Sequence, residues 1–295
     1  MKEEDSKNLF SVIIPNKDRI NLLFRAVDSA LQQSYKKIEI LVIDDSREEI
    51  HNEIKRKYRN TSMVKVIRGN STGSSGARLL GLKLAKGDYV SFLDSDDTWE
   101  KEKLESHKNC IESFPDVGVC FDILTERKPN TDLSKVYRPP LNYTETYTKL
   151  ERKAVLKELL KENFIHMSCG TINRRNFHEL YFSATEPQDY LSWMYYSERS
   201  DFGLVPFALT NKYPQLDSRS SNKRILFQEN IVIQKTRIIT ASKSPSLTVY
   251  EKVKLVIYSL ALMSGFYVIT PEWIKNTVIR GHKKRLFAVL LTKES

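Results

Sequence analysis

Residues 89–99 read YVSFLDSDDTW, an apolar run of strand-forming residues that ends in three aspartates. In open α/β sheets, ligands bind just beyond the carboxyl ends of the strands. Asp94, Asp96 and Asp97 would repel one another there unless a cation or a bound group offset their charge. Carboxylate oxygens suit Mg²⁺ or Mn²⁺ rather than zinc, and a cation held in this way usually meets the oxygens of a phosphate or diphosphate. The stretch therefore predicts a strand that ends at a metal and phosphate site.

Similar apolar runs surround this one and predict the rest of a sheet. Apolar residues recur at helical spacing between the first two runs, which makes a parallel strand–helix–strand unit. A second helix is predicted around Ala77–Ala85, with Gly87 as its C-terminal cap. Near-continuous apolar strands that alternate with helices indicate an α/β fold, a parallel sheet covered on both faces. The runs lie at 9–15, 38–46, 63–67, 89–97 and 117–122.

The glycine-rich segment 69–78, expected to be a loop, argues against two common nucleotide-binding classes. It lacks G-x-x-x-x-G-K-[ST], and its glycines do not form G-x-G-x-x-G. A phosphate-loop kinase and a dinucleotide-dependent oxidoreductase are therefore disfavoured. A nucleotidyltransferase, which shares an α/β nucleotide-binding sheet, would carry a basic glycine-rich motif early in the chain, and none is present. It is kept as an alternative, as is a non-catalytic membrane- or nucleic-acid-binding protein that retains the fold.

Four motifs in order resemble the inverting glycosyltransferases of family 2, and the match covers about two-thirds of the chain. The resemblance implies a GT-A-type, Rossmann-like, mostly parallel sheet and a hexosyltransferase that uses a nucleotide-diphosphate sugar, most simply a UDP-sugar. It further implies transfer with inversion to a saccharide or lipid-linked saccharide in bacterial surface polysaccharide synthesis, such as capsule, O-antigen or lipooligosaccharide. The motifs are SVIIPNKDR (11–19), AVDSALQQSYKKIEILVIDDS (26–46), GSSGARLLGLKLAKGDYVSFLDSDDTW (73–99) and QDYLSW (188–193).

The resemblance also implies a donor site and a metal. Asp44 is expected on a uracil N–H, whereas Asp45 either contacts the base or caps the following turn. Asp96 is expected to bind Mn²⁺ or Mg²⁺ with help from Asp94, and Asp97 either supports that site or caps a helix near Trp99. The chain departs from the family at Lys17, where an aromatic residue is usual, and at Leu79, where Asn is usual. The implied nucleotide-sugar-binding residues are Pro15, Asp18, Asp44, Asp45, Gly73, Arg78, Asp94 and Ser95.

Transfer with inversion needs a base that takes the proton of the acceptor hydroxyl on the face opposite the leaving group. Family members carry this base as the Asp of a Glu-Asp pair, and the matching stretch here is EPQDYLSW, residues 186–193. Asp189 is therefore the expected base, with Gln188 in the place of the usual Glu. Glu186 is the second choice. The same stretch reads as a helix, in which Asp189 would also suit the first turn.

The last quarter of the chain holds most of the positive charge. Residues 222–295 contain 13 Lys/Arg against 4 Glu, a net of +9 out of +10 for the whole chain. Apolar helical pieces at 255–269, 273–281 and 283–291 are interleaved with these charges. Such a region either lies on an anionic membrane surface or packs on the catalytic domain as a helical appendage. A catalytic domain at 1–220 and a basic helical region at 221–295 are expected.

The sequence also predicts where the protein is located in the cell and how the segments after the fifth apolar run fold. The N-terminus does not read as a signal peptide, and the three cysteines form no C-x-x-C, which favours the cytoplasm, with peripheral contact at the inner membrane. No base-reading motif is evident, so no nucleic-acid partner is expected. Residues 123–148 are predicted as a long loop and residues 150–163 as a helix. Residues 166–175 are predicted to return to the sheet beneath the active site.

Overall fold

The structure, a computed structural model, describes residues 7–71, 73–128, 133–183, 187–214, 223–243 and 247–264. Strands and helices alternate through the first half of the chain. The strands are β1 (Phe10–Asn16), β2 (Ile38–Asp44), β3 (Val64–Arg68), β4 (Tyr89–Phe92), β5 (Thr98–Trp99), β6 (Val117–Arg127), β7 (Ser134–Tyr137), β8 (Thr148–Leu150), β9 (Gly170–Asn173) and β10 (Asp201–Lys212). The helices are α1 (Ile20–Leu31), α2 (Glu48–Tyr58), α3 (Gly73–Leu84), α4 (Lys103–Ser113), α5 (Arg152–Leu159), α6 (Gln188–Ser197), α7 (Lys223–Lys243) and α8 (Val249–Ser264).

The strands form one sheet in the order β3-β2-β1-β4-β9-β6-β10-β5. β1 pairs in parallel with β2 and β4, so Ile13 lies between Leu41 and Phe92. β9 is antiparallel to both of its neighbours, β4 and β6. Since β9 is antiparallel to both β4 and β6, β6 runs in the same direction as β1–β4, and so does β10, which is parallel to β6. The sheet is therefore mostly parallel, and the carboxyl ends of β1, β2 and β4 share one edge.

Helices cover both faces of the sheet, as predicted. Alternate side chains of β1 enter different cores, with Ile13 in one and Val12 and Ile14 in the other. The buried residues of α1 follow the spacing i, i+3, i+4, i+7, from Leu23 to Ala30. They pack in the core of Val12, whereas Ala77 and Leu82 of α3 pack in the core of Ile13.

Three local predictions are wrong. α3 begins at Gly73, inside the predicted loop. Gly87 does not cap it in the left-handed conformation, since among the described glycines only Gly73 has a positive φ. Gly87 is required instead by a close approach, because a Cβ there would clash with the carbonyl oxygen of Leu9. The helix expected near Trp99 begins only at Lys103, and Trp99 packs in the core as part of β5.

The predicted long loop at 123–148 contains parts of three strands. β6 continues past Asp122 to Arg127, β7 pairs with it and β8 pairs with β10. The helix predicted at 150–163 is α5, and the predicted return to the sheet at 166–175 is a turn at Met167–Cys169 followed by β9. The apolar run at 117–122 predicted a strand that ends at Asp122, whereas the strand in the structure continues to Arg127. The carboxylate of Asp122 is compensated by a buried lysine, Lys103.

The first part of the basic C-terminal region packs on the domain. Ala241 of α7 and the nearby Leu247 are buried in the same core as Trp193. Lys157 of α5 forms a 3.0 Å ion pair with Glu251 of α8. Among the described helices, none has the length and apolar character needed to cross a membrane. The predicted boundary at 220 and the apolar pieces beyond residue 264 lie outside the described residues.

Candidate active site

A cavity of about 760 Å³ opens at the carboxyl ends of β1, β2 and β4. This is the edge of an α/β sheet at which ligands bind. Its lining combines a cluster of acids with a cluster of cations, so a ligand that carries both a metal and phosphate groups would find complementary charges there. The acids are Asp45, Asp94, Asp96, Asp97 and Glu126, and the basic groups are Lys17, Arg19, Arg78, His166 and Lys212.

The acidic residues after β4 form a tight turn. The backbone N–H of Asp97 donates to the carbonyl of Asp94 at 3.0 Å. Asp94 pairs with the guanidinium of Arg78, and Asp96 accepts from Nη1 of Arg19 at 2.9 Å. The carboxylate of Asp97 accepts from Oγ of Ser168 at 2.6 Å. Each of the three carboxylates therefore has a fixed direction, set by a partner distant in sequence.

These neighbours separate the pKa values of the three carboxyl groups. Burial raises the pKa of Asp97 well above its usual value, and the charges of Asp94 and Asp96 raise it further. Burial and Asp94 likewise raise the pKa of Asp96, against the opposing effect of Arg19. Burial would raise the pKa of Asp94 too, but Arg78 and His166 outweigh it and lower the pKa. A cation beside the turn would favour the ionised form of all three.

One group of side chains in the cavity fits a divalent cation. Ligand atoms of Asp94, Asp97 and His166 all lie within 4.8 Å of one another. Two carboxylates and an imidazole are a donor set that Mn²⁺ accepts. Asp96, the metal ligand expected from the sequence, belongs instead to the ion pair with Arg19. Sequence reasoning missed His166 because a single histidine about 70 residues from the aspartates carries no spacing signal.

Helix α3 links the acidic turn to the helix that carries the expected base. Gly73 begins α3 with φ of 74°, in the left-handed region that glycine adopts readily. Arg78, on the same helix, donates from Nη1 to Oε1 of Gln188 at 2.7 Å. Gln188 in turn donates from Nε2 to Oγ of Ser74 at 3.2 Å. The amide in the place of the family's glutamate thus ties the start of α6 to the start of α3.

Of the residues expected around the nucleobase, some line the cavity, one is fully buried and one is exposed. Pro15, Asp45 and Ser95 line the cavity, and Asp45 accepts from the N–H of Ser71 at 2.8 Å. Asp44 is fully buried and accepts from Asn16 at 2.8 Å, with His51 Nδ1 also 2.8 Å from its carboxylate. Asp18 is exposed and accepts from the N–H of Arg47 at 3.1 Å. The contact of Asp44 with a base stays a prediction.

The expected base, Asp189, lies in the first turn of α6 and is half-buried. Its Oδ2 accepts from Nδ2 of Asn163 at 3.0 Å. The side-chain oxygen of Asn163 accepts from the N–H of Ile165 at 3.3 Å, which orients the amide so that its NH₂ group points to the carboxylate. The second choice for the base, Glu186, lies outside the described residues.

A buried ionic network lies beneath the acidic turn. Lys103 and His107 are fully buried and both contact Oδ1 of Asp122, His107 from 3.2 Å. The hydroxyl of Thr210 donates to the other oxygen of Asp122 at 2.8 Å, and the same oxygen atom of Thr210 lies 3.3 Å from the carbonyl oxygen of Ser168. Because Ser168 also binds Asp97, the network supports the acidic turn from the core side.

Comparisons with known proteins show the family to which the chain belongs. A family model described as glycosyl transferase family 2 matches residues 11–182. The chain is 29% identical over 189 residues to the UDP-Glc:alpha-D-GlcNAc-diphosphoundecaprenol beta-1,3-glucosyltransferase WfaP of Escherichia coli, covering 63% of this chain and 69% of that enzyme. It is 32% identical over 113 residues to the amylovoran biosynthesis glycosyltransferase AmsB of Erwinia amylovora, covering 37% of this chain and 38% of that relative. The chain thus spans less than half the length of the second relative.

A solved structure shares the fold. The Staphylococcus aureus protein TarS, residues 1–349 in complex with UDP-GlcNAc, superimposes with a TM-score of 0.64 at 20% sequence identity, covering 88% of this chain and 73% of that one. At this identity the likeness concerns the fold alone. It confirms the predicted α/β architecture of the GT-A type.

Proposed function

The chain belongs to glycosyl transferase family 2, and on this premise we propose that it transfers the sugar of a UDP-sugar to a saccharide hydroxyl, with inversion, in bacterial polysaccharide synthesis. The cavity at the carboxyl ends of the parallel strands carries the proposal. There the acidic turn at 94–97 faces the cations of Arg19, Arg78 and Lys212. The E. coli and Erwinia relatives support it, since they are named for glucosyl transfer and for amylovoran biosynthesis.

The donor's diphosphate is the part of the substrate that this lining suits best. Negative charge develops on the diphosphate as the bond to the sugar breaks, and cations aimed at that charge lower the barrier. Arg78 presents a planar guanidinium, which matches phosphate oxygens. Lys212, at the end of β10, brings a further positive charge that sequence reasoning did not identify. Asn16 and Asp45, also in the lining, are available to the nucleobase.

A divalent cation, Mn²⁺ or Mg²⁺, belongs to the proposal because the residues fit it. Asp94 would hold it, joined by Asp97 and His166, whose ligand atoms converge with those of Asp94. When bound, such a cation supplies positive charge that stabilises the departing UDP. Asp96, the ligand expected from the D-x-D motif, could serve as well if Arg19 released it. The metal assignment of Asp96 stays a prediction.

Asp189 is the proposed base. Its carboxylate takes the proton of the acceptor hydroxyl while the hydroxyl oxygen bonds to the anomeric carbon and the bond to the diphosphate breaks. Attack from the face opposite the leaving group inverts the configuration at that carbon. The hydrogen bond from Asn163 orients the carboxylate for this role.

The proposed acceptor is a lipid-linked saccharide at a membrane surface. The name of the E. coli relative specifies a diphosphoundecaprenol-linked acceptor. A lipid-linked saccharide would place the reaction at the cytoplasmic face of the inner membrane. The excess positive charge of residues 222–295 suits peripheral contact with anionic lipid.

A donor screen tests the proposed function. The purified chain is incubated with UDP-glucose, UDP-galactose, UDP-GlcNAc, GDP-mannose and dTDP-glucose, each with Mn²⁺ and a lipid-diphosphate-linked GlcNAc acceptor. We expect one UDP-sugar to be transferred and proton NMR of the product to show a β linkage from the α-linked donor. Transfer from a non-uridine donor alone would refute the UDP assignment, and an α linkage would refute inversion.

A further inference from the structure

Arg237 is a buried cation outside the cavity. It lies on α7, in the basic C-terminal region, and is 1% exposed. Nη2 donates to the carbonyl of Lys161 at 2.7 Å and Nε donates to Oη of Tyr190 at 2.9 Å. Nη1 approaches the amide oxygen of Gln234 at 3.4 Å. Because burying a charge is costly unless it is well hydrogen-bonded, these contacts must hold the guanidinium firmly.

The two main partners of Arg237 belong to different parts of the site that carries the proposed base. Tyr190 directly follows Asp189 in the first turn of α6 and is 1% exposed. Its hydroxyl donates to the carbonyl of Leu159 at 2.8 Å while it accepts from Arg237. Lys161 lies in the segment that follows α5. Arg237 therefore joins the start of α6 to the end of α5.

That junction contains the contact that orients Asp189. Asn163 comes two residues after Lys161 and donates to Asp189 at 3.0 Å. The donor, Asn163, is close in sequence to Lys161, and the acceptor, Asp189, is next to Tyr190. Arg237 forms hydrogen bonds to both Lys161 and Tyr190. A guanidinium reaches the two acceptors from separate nitrogens in a rigid planar fork, whereas a lysine ammonium has all its donors on one nitrogen.

We propose that Arg237 is a positioning residue for sugar transfer, since it fixes the segment of Asn163 against the start of α6 and so sets the position of Asp189. The proposal rests on the proposed function, in which Asp189 is the base. It makes α7 a working part of the catalytic unit, although the sequence assigns this helix to a separate basic region.

The test compares Arg237→Lys with Lys235→Met. The first keeps the charge and loses the fork, and the second removes an exposed charge from the same helix. We expect Arg237→Lys to lower turnover by roughly 10–100-fold, the scale of a small misplacement of a catalytic group. Affinity for the UDP-sugar, measured by calorimetry, should stay within about twofold, because donor-binding groups are untouched. Lys235→Met should match the wild type in both.

A spectroscopic measurement separates positioning from general stability. The side-chain amide signal of Asn163, assigned by its loss in Asn163→Ala, should shift in Arg237→Lys and not in Lys235→Met. If Arg237→Lys does not fold, Tyr190→Phe removes the same junction while keeping the ring, and the same shift is expected. An unmoved Asn163 signal with wild-type turnover per folded molecule would overturn the proposal. A wild-type protein that transfers no sugar would refute the proposed function, whereas the Asn163 signal would still decide whether Arg237 holds that contact.

Discussion

The guanidinium of Arg78 donates to the side-chain oxygen of Gln188 at 2.7 Å, although the residues are 110 positions apart in sequence. The same guanidinium pairs with Asp94 in the acidic turn. One arginine therefore connects the end of β4 with the helix of the proposed base. The glutamine at position 188 keeps an oxygen acceptor for Arg78, lacks the negative charge of the family's glutamate and adds the N–H donor that reaches Ser74.

The Arg78–Gln188 contact predicts opposite outcomes for two substitutions. Gln188→Leu should destabilise the fold by about 1–3 kcal/mol, because it leaves a donor of a largely buried guanidinium without its acceptor. Gln188→Glu should be at least as stable as the wild type, since a carboxylate accepts more strongly. Urea unfolding followed by tryptophan fluorescence measures both, with Glu198→Gln at the exposed end of α6 as the control. Equal stability of the Leu variant and the wild type would contradict the prediction.

The metal site predicts a difference between His166 and Asp96. His166→Gln should weaken Mn²⁺ binding in the presence of UDP by about tenfold or more, because a nitrogen ligand is lost from the cluster with Asp94 and Asp97. Asp96→Asn should remove most of the divalent-dependent binding of UDP if Asp96 is the ligand that the D-x-D motif implies. Calorimetry with Mn²⁺ and UDP ranks the two variants. If both variants bound Mn²⁺ and UDP with wild-type affinity, the proposal that this cluster holds a cation would be refuted.

Loss of the base should separate turnover from donor binding. Asp189→Asn should reduce turnover by roughly 10²–10⁴-fold, the usual scale for a general base, while the affinity for the UDP-sugar stays close to that of the wild type. Glu186→Gln is the matched comparison, since it also removes one carboxylate, three residues earlier in the sequence. Should the Glu186 variant lose more turnover than the Asp189 variant, the base assignment would move to Glu186.

The buried network predicts a pH-dependent stability. Burial and the charge of Lys103 lower the pKa of His107 to about 4 in the folded protein, from 6.5 in the unfolded chain. Below pH 6.5 the unfolded chain takes up a proton that the folded protein does not, so stability falls as the pH is lowered and this loss is complete near pH 4. Between pH 7 and pH 5 the loss should be about 2 kcal/mol. It should be absent in His107→Gln, and denaturant unfolding of both proteins at the two pH values measures the difference.

The C-terminal charge predicts binding to anionic membranes. Each Lys or Arg near an anionic surface contributes about 1 kcal/mol, within a Debye length. Changing Lys283, Lys284 and Arg285 to Glu should therefore release the protein from anionic vesicles, while activity on a soluble acceptor survives. The matched control changes three exposed basic residues of α2, Lys55, Arg56 and Lys57. Co-sedimentation at low and high salt reports the outcome, and equal binding to anionic and neutral vesicles would withdraw the membrane proposal.

The parallel half of the sheet follows from the sequence because each strand is a continuous apolar run. Val12, Ile40 and Val90 are all buried, although they do not all point to the same face of the sheet. A run of apolar residues is therefore enough to locate β1, β2 and β4. The acidic turn is equally visible, since Asp94, Asp96 and Asp97 break such a run abruptly. The order of the motifs is enough to place these elements and the cavity edge.

The contacts across the site could not be predicted in this way. Nothing in the spacing of His166 or Lys212 indicates that both line the cavity of the acidic turn, His166 from the segment before β9 and Lys212 from the end of β10. β6 was expected to end at Asp122, because a pattern of single residues does not reveal that Lys103 compensates the carboxylate. The cavity lining and the extension of β6 depend on charged residues that are far apart in sequence. The local spacing of apolar residues does not indicate such pairs.

The place of β9 has a consequence for the growing chain. Residues 170–173 lie between β4 and β6 in the sheet, yet they are synthesised after both. Until they leave the ribosome, neither β4 nor β6 has this neighbour, and each offers an open edge to other chains. The chain adds about forty residues between the end of β6 and the start of β9, and β6 gains its other neighbour, β10, only after that.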